Sequence, residues 1–327
     1  MRYVLRRVGF FLVTLWAAIT LNFFLPRMMP GNPAIAMMAK FHGRVNGQAL
    51  FALETIFGIN TNQSLPAQYV HYLDDIFTGN WGTSLFYFPT PVSQVVRTGI
   101  FWTLGLVGVT TILAFVLGTW VGAIAAWRRG GLIDSVATPS LVVASAIPYF
   151  WVGMMFILIF GLKLQWLPWS GGNSISDTPA LTAGYIGDVL DHAVLPALAL
   201  MITTIGAWTL TMRNNMVTTL AEDYVRMARA KGLRNSRIML DYAARNAVLP
   251  NLTGFAMSLG FVVGGVILIE YVFNYPGVGY MLLQAVENED YPLMQALFLL
   301  ITVAVLIAIL LADVATAIFD PRTRSAR

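Results

Sequence analysis

Residues 222–250 read EDYVRMARAKGLRNSRIMLDYAARNAVLP. This is the most charged block of a chain that is otherwise nearly free of charge. Seven Lys and Arg fall between positions 213 and 245, and long apolar runs flank them on both sides. A helical reading puts Leu220, Tyr224, Met227 and Ala228 on one face and Glu222, Arg226 and Arg229 on the other. Lys231 and Gly232 then follow as a helix end: a cation near the carboxyl terminus, then a residue that tolerates positive φ. Asn235 or Ser236 suits the cap of a second helix, which carries Ile238, Met239 and Tyr242 on one side. Pro250 marks entry to the next apolar run. The block is therefore a basic, amphipathic helix–Gly turn–helix. By composition it fits a helix lying on anionic lipid as well as one seated on a protein partner.

The rest of the chain says where such a block sits. Of 327 residues, 57% are hydrophobic and only 11% charged, and the mean hydropathy is +0.69. A soluble domain carries about 25% charged residues, so the pattern is that of an all-α polytopic membrane protein. The net charge of +4 is not a nucleic-acid signature, because the cations lie in short clusters beside apolar runs. The chain has no Cys, which excludes disulfides and thiolate metal or redox sites.

Six uncharged runs are each near or above the ~18 residues that mark a spanning helix: 8–25, 100–127, 135–162, 192–212, 246–269 and 293–312. The first follows Arg2, Arg6 and Arg7 but lacks a small-residue cleavage site, so it reads as an uncleaved helix. With the amino terminus inside, 15 of the 20 Lys and Arg fall on cytoplasmic segments. This satisfies the positive-inside rule and places both termini and the 213–250 loop in the cytoplasm. The chain divides into 1–98, the first span plus an external segment, and 99–327, the remaining five spans with the basic loop between the fourth and fifth. In the external segment, SLPAQYVHYLDDIFTGNWG (64–82) reads as a short amphipathic helix. Tyr69, Tyr72, Leu73, Ile76 and Phe77 share a face, fit either for capping the outer surface or for docking an external partner. WLPWSGGNSISDTP (166–179) reads as a loop with aromatic anchors.

No ionisable residue lies near the middle of a span, which argues against an ion-coupled carrier. Glu270, Asp313 and Asp134 sit at or beyond span ends, as capping or interface groups. Asn22, Thr203 and Thr204 are candidates for interhelical hydrogen bonds. Pro139, Pro148 and Pro196 fall within spans, where Pro kinks a helix. Pro148, Tyr149, Phe150 and Trp151 form a candidate pathway or gate element. His42, His71 and His192 are scattered and form no metal site, and no nucleophile–base spacing appears. No G-x-x-x-x-G-K-[ST] exists, so the chain has no P-loop of its own.

Several ordered motifs resemble those of permease subunits of ATP-binding-cassette importers, in the dipeptide, oligopeptide and nickel branch (B-type). DYVRMARAKGL with ARNAVLPNL is similar to the coupling-helix motif; MMPGNPA, GNWGTSLFYFPTPV, ASAIPYFWVGMMFIL, FNYPGVGYMLLQAVENEDYPLMQAL and FDPRTR resemble further segments. The generic pattern of such importers is Glu-Ala-Ala, three residues, then Gly; here Arg226, Met227 and Ala228 precede Gly232, so only Ala228 and Gly232 match. The resemblance implies an ATPase-coupling helix made of Tyr224, Arg226, Met227, Ala228, Arg229, Lys231 and Gly232. It implies a homologous second permease, two cytoplasmic ATPase subunits that hold the ATP and Mg, and an external substrate-binding protein. The chain itself would be no enzyme and hold no cofactor. It would sit in a bacterial cytoplasmic (inner) membrane and import short peptides, or else an oligosaccharide or a nickel chelate. The competing class is an ATP-independent channel or carrier whose basic loop binds lipid; stable ATPase co-purification separates the two.

Overall fold

A computed structural model describes residues 2–28, 63–174, 182–262, 264 and 266–319. Of the described residues 81% are helical, and no strand occurs among them, only one isolated bridge between Thr83 and Pro91. The helices are α1 (Arg2–Met28), α2 (Leu65–Thr78), α3 (Val92–Thr103), α4 (Val109–Trp127), α5 (Thr138–Ser145), α6 (Tyr149–Phe156), α7 (Ala183–Leu220), α8 (Asp223–Ala230), α9 (Arg245–Val262), α10 (Ile267–Val272), α11 (Val278–Glu287) and α12 (Tyr291–Phe319). Four π-helical stretches extend or join them: Leu104–Gly108, Ile133–Ala137, Ile157–Lys163 and Ile238–Ala244.

Among the described residues, four stretches are long and apolar enough to cross a membrane: Arg6–Leu25, Val92–Trp127, Ala183–Leu220 and Tyr291–Leu311. They contain the first, second, fourth and most of the sixth expected span. The third expected span is not one rod. Ile133–Ser145 and Tyr149–Lys163 meet at a bend of 98°. Pro148 is the cause: it has no amide hydrogen, and its ring disfavours helical backbone at Ile147. Pro148 itself adopts an extended ψ of 129° and caps α6. The fifth expected span corresponds to α9, which ends at Val262 and includes polar Asn246 and Asn251. It does not qualify as a span by length and apolarity among the described residues. Pro250 lies inside α9 rather than at its entry, and α7 continues through Pro196.

The chain forms two compact units. In one (Met1–Thr103, Val263–Tyr271, Pro276–Leu310), α3, α11 and the start of α12 enclose a core of Val92, Val95, Val96, Met281, Leu282 and Leu297. Two buried carboxylates organise it. The Thr103 hydroxyl donates to Glu270 Oε1 at 2.8 Å and accepts from Val278 N–H at 2.8 Å. Gly279 N–H (2.7 Å) and Tyr280 N–H (3.2 Å) donate to Glu270 Oε2. Glu270 thus satisfies the free amides at the start of α11 and complements its positive end; of the two roles read from sequence, capping or interface solvation, this is the first. A Cβ on Gly277 would lie 2.4 Å from the Glu270 carboxyl carbon, so only glycine admits the carboxylate there. Asp290 does the same for α12: Leu293 N–H donates to it at 3.2 Å, and the Ser84 hydroxyl and Phe86 N–H also donate to it.

The other unit (Leu104–Val262, Val272–Tyr275, Leu311–Arg327) is organised by α4 and α7 packed backbone to backbone. A Cβ on Gly118 would sit 2.8 Å from the Ile205 carbonyl oxygen, and one on Gly122 2.4 Å from the Thr209 oxygen. Such small-x-x-x-small spacing lets membrane helices approach closely. Gly206 similarly admits α5, whose Leu141 oxygen would be 2.2 Å from an added Cβ. Phe115 stacks on Phe255 at 4.2 Å. Thr203 and Thr204, expected to bond between helices, instead donate to the Ala199 and Leu200 carbonyls of their own helix. Asn22, in the first unit, does bond across helices: its amide donates to the Tyr72 hydroxyl (3.0 Å) and the Gln295 carbonyl (2.9 Å).

Candidate functional site

Helix α7 is 38 residues long, about 57 Å at 1.5 Å per residue. That exceeds the ~30 Å hydrocarbon core of a bilayer, so the helix carries its last turns beyond the apolar layer. There Ala221 and Glu222 break it, and α8 begins. Arg213, near this end, pairs with Asp134, which also accepts from Gly130 N–H at 3.0 Å. The ion pair ties the Arg128–Arg129 turn to α7 beneath the basic loop.

Helix α8 is seated on its own chain. Val225 and Ala228 are 0% and 2% exposed and form a core with Ile238, flanked by Trp127, Leu220, Leu233 and Tyr242. The Arg229 guanidinium lies over the Trp127 ring, 6.0 Å from its centroid. The Tyr224 hydroxyl accepts from the Asn246 amide at 3.1 Å. The helix ends at Ala230, with Lys231 as cap and Gly232 at φ 71°, as the sequence predicts. Gly232 N–H bonds the Arg229 carbonyl (2.9 Å) and Leu233 N–H bonds the Ala228 carbonyl (3.3 Å). These two bonds are the Schellman closure, which needs a left-handed residue at the Gly232 position. A second helical stretch starts at Asn235, but Arg234 is its cap and no side chain caps it.

This geometry divides the seven residues expected to act together. Tyr224, Arg226, Met227, Arg229, Lys231 and Gly232 are exposed. Ala228 is not: the sequence put it on a docking face, whereas it faces the chain's own core, beside Val225, which the sequence reading passed over. The outward apolar surface is Tyr224 (41% exposed) and Met227 (59%), ringed by cations. The Arg226–Asp223 pair, 3.5 Å apart, is fully solvated and holds little.

Pro148, Tyr149, Phe150 and Trp151 occupy the 98° bend and the first turn of α6. The Tyr149 and Phe150 rings meet edge to face at 6.1 Å, and Trp151 is exposed. Ala146 and Ile147 N–H groups make tight three-residue bonds that close α5. Of the scattered histidines, His71 lies on α2 and His192 on α7; His42 lies outside the described residues. No cluster of three metal-ligating side chains occurs among the described residues.

The buried anchors under α8 were only partly read in the sequence, and the glycines between α4 and α7 went unread. The Gly118-x-x-x-Gly122 spacing was a readable signal for the second. The Glu270–Gly277–Gly279 set had none, because its partner Thr103 is distant in sequence.

The family model for "Binding-protein-dependent transport system inner membrane component" matches residues 118–325, and that for the corresponding amino-terminal region matches residues 1–92. The chain belongs to this permease family. It is 36% identical to a putative peptide permease protein of Brucella suis, over 99% of both chains. It is 32% identical to a probable peptide ABC transporter permease of Sinorhizobium fredii (98% of this chain, 99% of that one). It is 31% identical to the oligopeptide transport system permease protein AppB of Bacillus subtilis (98% of each). The permease is a multi-pass membrane protein of an ABC importer system, whose permease subunits are not themselves catalytic.

Proposed function

We propose that this permease is the membrane subunit of an ATP-driven importer of short peptides, working by alternating access with a homologous second permease. Two cytoplasmic ATPase subunits bind ATP and Mg and grip α8. An external binding protein delivers the peptide. The protein sits in the bacterial inner membrane with six spans, the bent α5–α6 pair and α9 counting as two of them, and with both termini and the basic loop in the cytoplasm. The peptide assignment is supported by the names of the three relatives.

The single observation that carries the coupling role is the one-sided burial of α8. Val225, Ala228 and Ile238 fix it to the ends of α4 and α7, while Tyr224 and Met227 stay exposed. A helix that is immobile against its own chain and open on the other side works as a lever. A push from a partner moves α4 and α7 instead of bending a loop. A lipid-binding helix needs only an apolar face toward the membrane and no such anchor. The residues at the 98° bend would line or gate the passage, since broken backbone at membrane depth is tolerated where it lines a cavity. The test is reconstitution of the permease with its partner subunits in liposomes. ATP-dependent uptake of a labelled tripeptide, absent without the binding protein, is the expected result. Uptake without ATPase subunits, down a gradient only, would overturn the proposal.

A further inference from the structure

We propose that α2 is an interfacial helix: one side docks on the outer turns of α1, and its apolar edge Val70–Leu73–Phe77 inserts among the lipids at that membrane boundary. The depth of α2 follows from its bonds. The Thr20 hydroxyl meets the Tyr69 hydroxyl at 2.7 Å, and the Asn22 amide donates to Tyr72 at 3.0 Å. Phe23 packs edge-on against the Tyr69 ring at 5.2 Å. Thr20, Asn22 and Phe23 all lie within the membrane-crossing stretch Arg6–Leu25. One turn further on, Arg27 is stacked over the Phe23 ring at 3.7 Å and donates to the Gln68 side chain. Helix α2 is therefore held level with the last turns of a spanning helix, where hydrocarbon gives way to headgroups.

Helical spacing then splits the rest of α2 in two. Val70, Leu73 and Phe77 (i, i+3, i+7) form an apolar edge, with Val70 65% and Phe77 83% exposed. His71, Asp74 and Thr78 form the other edge, which carries the His71–Asp75 pair at 3.1 Å. The sequence reading put Phe77 on the same face as Tyr69 and Tyr72; the structure turns it away from α1. On α1, Leu21, Phe24 and Leu25 are exposed at the same level and face lipid as part of a span. In the proposed placement the apolar edge of α2 extends that lipid-facing belt and its polar edge faces water. This three-way division (protein, lipid, water) is the pattern of an interfacial amphipathic helix, which buries its apolar side ~5–10 Å into the headgroup boundary. The inference rests on the membrane spans alone and is independent of the transported substrate.

The chain has no Cys, so single cysteines report cleanly. Phe77→Cys and Thr78→Cys, each carrying an environment-sensitive fluorophore, are placed in nanodiscs of phosphatidylcholine with or without doxyl-labelled acyl chains. The Phe77→Cys label is expected to be blue-shifted and quenched several-fold more by doxyl lipid than by aqueous iodide, with the opposite ranking at Thr78→Cys. Val70→Cys and His71→Cys form a second pair that repeats the comparison if removing Phe77 disturbs the helix. Equal iodide quenching at both edges would overturn the proposal. So would shielding of the Phe77→Cys label that appears only when the external binding protein is added, since the face would then belong to a protein.

Discussion

Ala228 and Met227 are neighbours in sequence with opposite surroundings. Ala228 lies against Val225 and Ile238; Met227 projects to solvent. A carboxylate at 228 would be desolvated in this apolar core, at a cost of at least ~2 kcal/mol. Ala228→Glu is therefore expected to loosen α8 from its seat and lower the melting temperature of the isolated permease. Met227→Glu should leave that temperature unchanged and weaken ATPase association by tenfold or more, as removal of a central interface contact does. Differential scanning fluorimetry of the permease, followed by pull-down of the ATPases, separates the two effects. The same logic of close contact applies at Gly122, where an added Cβ would meet the Thr209 oxygen at 2.4 Å. Gly122→Leu forces α4 and α7 apart. It is expected to destabilise the fold by ~1–3 kcal/mol, measured as loss of monodisperse protein in detergent on heating, whereas Gly105→Ala, in open space, should not.

At the scale of the element, the hinge of the basic loop is its glycine. Gly232 stands at φ 71° with nothing within 4 Å of an added Cβ. A substitution there is opposed only by backbone conformation, at ~1–2 kcal/mol for most residues. Asn adopts the left-handed region more readily than a β-branched residue does. Gly232→Asn should thus retain peptide-stimulated ATPase activity in the reconstituted complex, while Gly232→Val should lower it several-fold with the spans intact. Normal coupling in Gly232→Val would mean the Schellman closure does not set the angle of α8. This turn was legible in the sequence because its signal is local: a cation, a glycine, then a polar cap. The first, second, fourth and sixth spans were legible for a related reason, since each is a long uninterrupted apolar run. The third was legible as a span with a proline kink and a candidate gate at Pro148–Trp151, but hydropathy does not give the size of the bend, which is 98°. The seat of α8 was only partly legible: Leu220, Ile238 and Tyr242 read as apolar faces, but Trp127, about a hundred residues earlier, also packs on it, and no periodicity reports a contact at that separation.

At the scale of the whole molecule, a packed helix pair ends at the basic helix. α4 and α7, locked through Gly118 and Gly122, end under a helix that the chain itself anchors on one side. The free side of that helix is where the proposed lever meets an ATPase subunit, so it is the place to test the coupling. Met227→Cys in this cysteine-free chain, armed with a short photo-cross-linker, is the direct probe in the assembled transporter. The account predicts a light-dependent adduct between the permease and an ATPase subunit. It also predicts that a thiol reagent in the aqueous phase reacts with Met227→Cys in the isolated permease and at least tenfold more slowly in the full complex. Reaction at the same rate in both states, with no ATPase adduct and with ATP-driven peptide uptake undiminished after modification, would contradict it.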